Sequence, residues 1–294
     1  MILATAAFLF LAAAPAREVA ITIDDLPRGG DGIGCEAAPL LSMTEKLLAP
    51  FRSGHLPVTG FVIGTTCPEV QTRALKMWLD AGAVLGNHTY SHLNPNDTPA
   101  PEYVNDIELG AQSLRKITGA KPRYFRLPFL HAGKDAETKK TIADFLQSHG
   151  YINAPVTLDN SDYMFARVYG IALKKNETEK ARRVADAYLT YMESIYEFFE
   201  KRSIEVTGHE VRQTLLIHAS QLNADTMPRL LEMMKRRGYQ VVSLERALED
   251  PAYRLPDRYI GPRGISWIHR WATTVIPEPD EPKWITDAWN ASRR

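Results

Sequence analysis

Gly86-Asn87-His88-Thr89-Tyr90-Ser91-His92 follows the short apolar run Ala83-Val84-Leu85, and its reading decides how the rest of the chain is organised. It sets two imidazoles four residues apart. On a helical turn, residues at that spacing share a face, so both rings can converge on one point. Neutral imidazole is the commonest protein ligand for zinc and similar ions. A pair holds a metal loosely, and a third ligand is available in Ile21-Thr22-Ile23-Asp24-Asp25, at the end of another apolar run. Adjacent carboxylates repel, so both can be ionised near one point only if a cation is there.

Outward from that stretch, apolar runs alternate with segments of helical period. Strands are expected at Glu18–Ile23, Val58–Ile63, Ala83–Leu85, Tyr124–Leu127, Tyr151–Leu158, Thr214–Ile217 and Tyr239–Val242. Helices are expected at Ala37–Arg52, Val70–Ala81, from Pro101 to Gly119, Ala136–His149, Asp225–Arg237 and Leu244–Leu248. A long amphipathic helix is expected over Glu177–Arg202, with Val184, Tyr188, Tyr191, Ile195 and Phe198 as its packing stripe. This is an α/β pattern of parallel strands, with near-continuous apolar runs as expected when both sheet faces are covered. In such folds sites gather at the C-terminal ends of strands. Asp24 and Asp25, His88 and His92, Arg126, Asp159 and Asp162, and His218 all fall there.

Three divisions are expected: a signal peptide over 1–16, a catalytic unit over 17–250, and an irregular extension over 251–294 that packs back on it. Ile2 to Ala14 is apolar but too short to span a bilayer, and Ala14-Pro15-Ala16 fits a cleavage site, although only Met1 stands where a charged segment is usual. Export to the periplasm or beyond follows, with no stable membrane insertion after cleavage. Cys35 and Cys67 are the two cysteines, and the sequence leaves open whether they pair. The 294 residues are 45% hydrophobic and 24% charged, with a formal net charge of +0. That neutrality argues against nucleic acid as a partner, which needs a basic face, but not against a neutral polymer such as a polysaccharide.

The residues at the strand ends resemble those of the polysaccharide deacetylases of carbohydrate esterase family 4, the nodulation-deacetylase homology domain. Thr22-Ile23-Asp24-Asp25 is similar to the family's first motif, and His88-Thr89-Tyr90-Ser91-His92 matches the second in full. Arg126-Leu127-Pro128-Phe129 resembles the third, with Phe where Tyr is usual. Asp162-Tyr163 is the nearest match to the fourth, with Asp159 a rival for its acidic role. Leu215-Leu216-Ile217-His218 matches the fifth. The long helix and the chain after Pro251 lie outside the motifs.

The resemblance implies a distorted (β/α)7 barrel and a metal-dependent hydrolase that removes acetyl groups from an N- or O-acetylated poly- or oligosaccharide. Asp25, His88 and His92 would hold Zn²⁺ or another divalent ion such as Co²⁺, with a position left open. Asp24 would be the general base, held ionised by Arg126. The backbone N–H of Phe129 would face the oxyanion. His218 would protonate the leaving group, with a carboxylate beside it, Asp162, favouring imidazolium. Leu216 would line a pocket for the acetyl methyl, and Tyr163 offers a flat face to a sugar ring. A metal amidohydrolase acting on a small non-sugar amide, or an inactive carbohydrate-binding relative, are the alternatives. Of the remaining histidines, His131 is close enough to the third motif to reach the cleft. His55, His149, His209 and His269 read as surface or packing residues.

Overall fold

The computed structural model describes residues 17–293, so the expected signal peptide lies outside the described residues. Seven strands form one sheet: β1 (Arg17–Leu26), β2 (Thr59–Val62), β3 (Val84–Asn87), β4 (Tyr124–Phe125), β5 (Ile152–Asn153), β6 (Gln213–His218) and β7 (Tyr239–Val241). Their order is β5-β4-β3-β2-β1-β6, with β7 also paired to β1, and every pairing is parallel. Val19 pairs with both β6 and β7, so these flank β1 on opposite sides, and β7 shares with β2 the other edge of that strand.

The helices between strands are α1 (Ala37–Gly54), α2 (Pro68–Asp80), α3 (Ala100–Thr118), α4 (Ala136–Ser148), α5 (Asp162–Lys174), α6 (Thr178–Thr207), α7 (Gln221–Arg236) and α8 (Leu244–Leu248). Strand and helix alternate because buried apolar runs such as Ala20–Ile23 cannot be left bare on either face. The fold is therefore α/β, a curled parallel sheet ringed by helices, as expected of a distorted (β/α)7 barrel.

The distortion has a sequence cause. A strand was expected over Tyr151–Leu158, but only Ile152–Asn153 pairs with β4. Pro155 has no N–H to give to a ladder, and the chain swings away after the Ala154 N–H reaches the Phe125 carbonyl at 2.8 Å. It then meets β6, where Leu158 and Leu215 form a parallel bridge that spans the sheet's open edge.

Residues 162–174, which have no clear period, form α5, and its Phe165 and Ala166 are fully buried. The long helix runs Thr178–Thr207, with Gly208 in the left-handed conformation as its stop. On it Phe199, not Phe198, takes the inward position, while Phe198 stacks on His269. The chain after Pro251 is more ordered than its composition suggests. It contains α9 (Trp267–Trp271) and α10 (Lys283–Ala291), with Trp267, Ile268, Trp271 and Ile285 in the core. Cys35 and Cys67 are joined in a disulfide that ties the loop after β1 to the loop after β2.

Candidate active site

β1 ends in a β-bulge. Ile23 pairs with Gly60 and Leu26 with Val62, so β1 carries one residue more than β2 over this stretch. Neighbouring strand residues normally point to opposite faces. The extra residue, with Asp25 at φ 64°, turns both Asp24 and Asp25 toward the same cavity.

The histidine segment is not the helical turn expected of it. After β3 the chain forms a loop in which Thr89 (φ 64°) and His92 (φ 56°) are left-handed. A β-branched residue there is strained, so its surroundings must impose it. The Thr89 N–H donates to Asn87 Oδ1 at 2.9 Å, and the His92 N–H donates to Thr89 Oγ1 at 2.9 Å. Buried Asp106 on α3 accepts the Ser91 N–H on its carboxylate and the Tyr90 N–H on its carbonyl. Gly110 lets α3 come this close, since a Cβ there would lie 2.7 Å from the Thr89 carbonyl carbon. The loop thus brings the two imidazoles to one point by capping, not by helical period.

Asp25, His88 and His92 offer ligand atoms that all lie within 4.8 Å of one another. Asp25 Oδ1 is 3.4 Å from each Nε2, and it is buried without a hydrogen-bond partner. The Nδ1 of His88 lies 2.8 Å from the Arg126 carbonyl, which cannot donate, so Nδ1 carries a proton and Nε2 is the nitrogen left to face Asp25 as a ligand atom. Burial, only partly offset by Asp25, lowers the His92 pKa to about 4, so that ring is neutral at pH 7. One carboxylate and two imidazole nitrogens facing inward form a donor set that fits a divalent cation and leaves a coordination position free.

Asp24 is buried beside this group. Arg126, which has no exposed surface, approaches it with Nη1 at 3.2 and 3.4 Å from the two carboxylate oxygens. The guanidinium is held by the Ala154 carbonyl and Thr22 Oγ1, each at 2.8 Å, and it lies 4.6 Å from the centre of the Phe61 ring. Its other donors are occupied, so it cannot swing away from Asp24. Asp24 is paired in register with His218 on β6. The His218 Nδ1 is 2.7 Å from Asp162 Oδ1, and Asp162 Oδ2 accepts the His218 N–H and the Asn223 side-chain amide, both at 2.7 Å. Burial disfavours a charged His218, but Asp162, with Asp25 and Asp24 beyond it, overrides burial and raises the pKa to about 10. Asp162, not Asp159, is therefore the carboxylate on His218. Asp159 lines the same cavity, where burial lifts its pKa to about 7.

The cavity over these groups has a volume of about 890 Å³. Phe129, Tyr163 and Leu216 line it as expected, and so does His131. Phe129 is 51% exposed, and its ring packs edge-on against His92 at 4.5 Å. Phe129 and Leu130 are consecutive left-handed residues (φ 56° and 54°), a conformation costing roughly 1–2 kcal/mol per residue. His269, read as a packing residue, lines the cavity, as do Trp289, Glu278 and Glu281 from the chain after Pro251. Asn223 also escaped the sequence reading. It follows three residues after Ser220, whose hydroxyl caps α7, and its partner Asp162 is far away in sequence.

Comparison with known proteins bears out the resemblance. The sequence profile of the polysaccharide deacetylase family matches residues 12–151. Over 112 residues the chain is 31% identical to the peptidoglycan-N-acetylglucosamine deacetylase of Bacillus cereus, covering 38% of this chain and 36% of that protein. It is 22% identical over 236 residues to a chitin deacetylase of Colletotrichum lindemuthianum, covering 79% of each. The peptidoglycan deacetylase PdaC of Bacillus subtilis shares the fold, with a TM-score of 0.52, 19% identity, and 80% of this chain and 91% of that one covered.

Proposed function

From the match of residues 12–151 to the polysaccharide deacetylase family, we propose that the chain hydrolyses acetyl groups from an acetylated poly- or oligosaccharide with the help of a divalent metal. The observation that carries this reading is the buried Asp25 oxygen without a donor, facing two imidazole nitrogens. Asp25, His88 and His92 would hold the ion, Zn²⁺ or a similar cation such as Co²⁺. Its Lewis acidity, when it is bound, makes water a competent nucleophile near neutral pH.

The chain's own residues do the rest. Asp24 takes the proton of the attacking water, and Arg126, locked by three partners, keeps that carboxylate aimed. The Phe129 N–H stabilises the oxyanion; because this group is backbone, Phe in place of Tyr does not remove it. His218, kept protonated by Asp162, gives its proton to the leaving nitrogen or oxygen. Leu216 lines the space for the acetyl methyl, and Tyr163, set edge-on to both His218 and Trp289, presents its ring to the sugar. A complete set of ligands, base and acid supports an active enzyme over an inactive relative.

Export to the periplasm or beyond accords with the Cys35–Cys67 disulfide, a bond that persists in oxidising compartments. No helix of the described residues is long and apolar enough to cross a membrane.

The test is acetate release from a panel of acetylated saccharides, with and without chelator, for the parent and for Asp24→Asn. We expect chelator-sensitive release in the parent, and a fall of roughly 10²–10⁴-fold in kcat in the variant with metal content unchanged. Full activity in Asp24→Asn would remove it as the base.

A further inference from the structure

The Phe129–Leu130 turn is strained, and its own segment closes it with two backbone hydrogen bonds, from Leu130 to Leu127 and from His131 to Pro128. Further support comes from residues 262–270, well beyond the stretch that matches the family profile. Arg270, 1% exposed, donates from Nη2 to the Leu130 carbonyl at 2.6 Å. The same guanidinium is fixed by the Ile265 carbonyl at 3.2 Å and Asp257 at 3.1 Å, and it stacks on Trp267 at 4.6 Å. Gly264 presses its backbone against the Phe129 carbonyl so closely that a Cβ there would overlap the oxygen.

Two other site loops are tied to the same stretch. The loop after His92 is held through Asn96 Nδ2, which donates to the Pro262 carbonyl at 2.7 Å. The segment after β5 is held by the Trp267 N–H on the Val156 carbonyl and by Ser266 Oγ on the Thr157 carbonyl, both at 2.7 Å. One short stretch therefore bridges loops from three different strands, each of which carries or abuts a group of the site.

We infer that residues 262–270 are the positioning device of the site, with Gly264 and Arg270 setting where the Phe129 amide points. The reason is geometric. The peptide that carries the Phe129 N–H and the peptide that carries its carbonyl are linked only through φ and ψ at one Cα, so a displaced carbonyl must be absorbed by those two torsions or passed on to the amide. Neither residue touches the reacting atoms; both act through Phe129 and Leu130. The catalytic part of this inference rests on the deacetylase reading, so the test needs a readout that does not.

The decisive variant is Gly264→Ala. Gly264 is not left-handed, so alanine brings no backbone penalty of its own, and its Cβ acts by displacing the Phe129 peptide. In the metal-free protein we expect faster amide hydrogen exchange at Leu130 and His131, whose N–H groups close this turn on the Leu127 and Pro128 carbonyls. With Zn²⁺ added and N-acetylglucosamine tetramer as substrate, kcat should fall by at least tenfold with KM within about twofold, since the amide is needed in the transition state more than in the ground state. Arg270→Lys, which keeps one donor but loses the fork, should fall between the parent and Arg270→Met. Trp271→Phe, in the same helix but packed on Tyr253, serves as the control: it should lower the melting temperature without changing exchange at Leu130 or the ratio of kcat to KM.

Unchanged exchange and unchanged kcat in Gly264→Ala would overturn the inference, as would an equal kcat loss in Trp271→Phe. If the parent releases no acetate while exchange at Leu130 still responds to Gly264→Ala, the deacetylase reading fails and the positioning role stands.

Discussion

Two carboxylate–imidazole groupings stand beside one cavity, built from the same functional groups but with opposite hydrogen-bond accounting. Around Asp162 both oxygens are met: one takes the His218 ring proton, the other takes two N–H donors. Around Asp25 the buried oxygen meets none, and the two nearby imidazoles turn ring nitrogens toward it. The consequence shows in the imidazoles. His218 is raised to about 10, because a dedicated carboxylate overcomes burial, whereas His92 is lowered to about 4, because burial wins. A buried anion with complete partners is a finished structural and acid–base unit; one without them asks for a cation. On the proposed function, the contrast gives the ion to one grouping and the proton to the other.

The sharpest way to break that contrast is to remove a ligand on the incomplete side. His88→Ala should abolish measurable Zn²⁺ binding in calorimetry and reduce acetate release to background. In the parent, Zn²⁺ at a hundredfold excess over its Kd should stabilise the fold by about 2.7 kcal/mol; in the variant that increment should vanish. Asp162→Asn should bind the ion as the parent does. Equal metal stoichiometry in His88→Ala and the parent would dissolve the difference between the two groupings.

On the complete side, Asp162→Asn is nearly isosteric but removes the carboxylate bonded to buried His218, leaving only the more distant Asp25 and Asp24 as counter-charges. The His218 pKa should drop from about 10 to the ordinary imidazole range or below, read by NMR titration of the ring. The raised folded value means the charged form contributes stability fully below pH 6.5, and that contribution is lost as pH rises through 10. The variant should therefore be most destabilised at acidic to neutral pH and approach the parent above pH 10. Acetate release should fall by roughly 10²–10⁴-fold on amides and less on activated esters, whose leaving groups need little protonation. An equal loss on both would argue against His218 as the acid.

Much of this was legible because strand ends are where a parallel sheet places its chemistry. Asp24, Asp25, His88, His92, Arg126 and His218 each follow a readable apolar run. What stayed hidden was conformational or long-range. The spacing of His88 and His92 suggests a helical face, but the convergence comes from left-handed residues that Asn87, Asp106 and Gly110 impose, and no periodicity reports a single dihedral. The bulge that turns Asp24 and Asp25 to one side depends on the register of β2, which β1 does not contain. The strand break was signalled by Pro155. The wall made by residues 262–293 was not, since helices as short as α9 have too few turns to show a period, and a buried Arg270 reads on paper as a surface cation.

Asp159 supplies the smallest and most discriminating prediction, as a third carboxylate in the cavity with neither a metal partner nor a dedicated cation. Burial leads the shift to about 7, opposed by the Asn160 N–H on its oxygen at 2.9 Å, and Glu278 adds like charge. The unfolded chain ionises near 3.8, so between about pH 4 and 7 it releases a proton that the folded state keeps, and stability falls as pH rises through that window. Asp159→Asn keeps the oxygen that accepts from Asn160 and removes the charge. At pH 4 the two proteins should therefore melt together, whereas at pH 8 the variant should be more stable. A shift of this size corresponds to about 4 kcal/mol at full burial, and the carboxyl's partial contact with solvent reduces the expected gain to roughly 1–2 kcal/mol. Denaturant titrations at the two pH values measure it directly. A variant less stable than the parent at pH 8 would mean that Arg126, whose field also reaches Asp159, serves as its counter-ion.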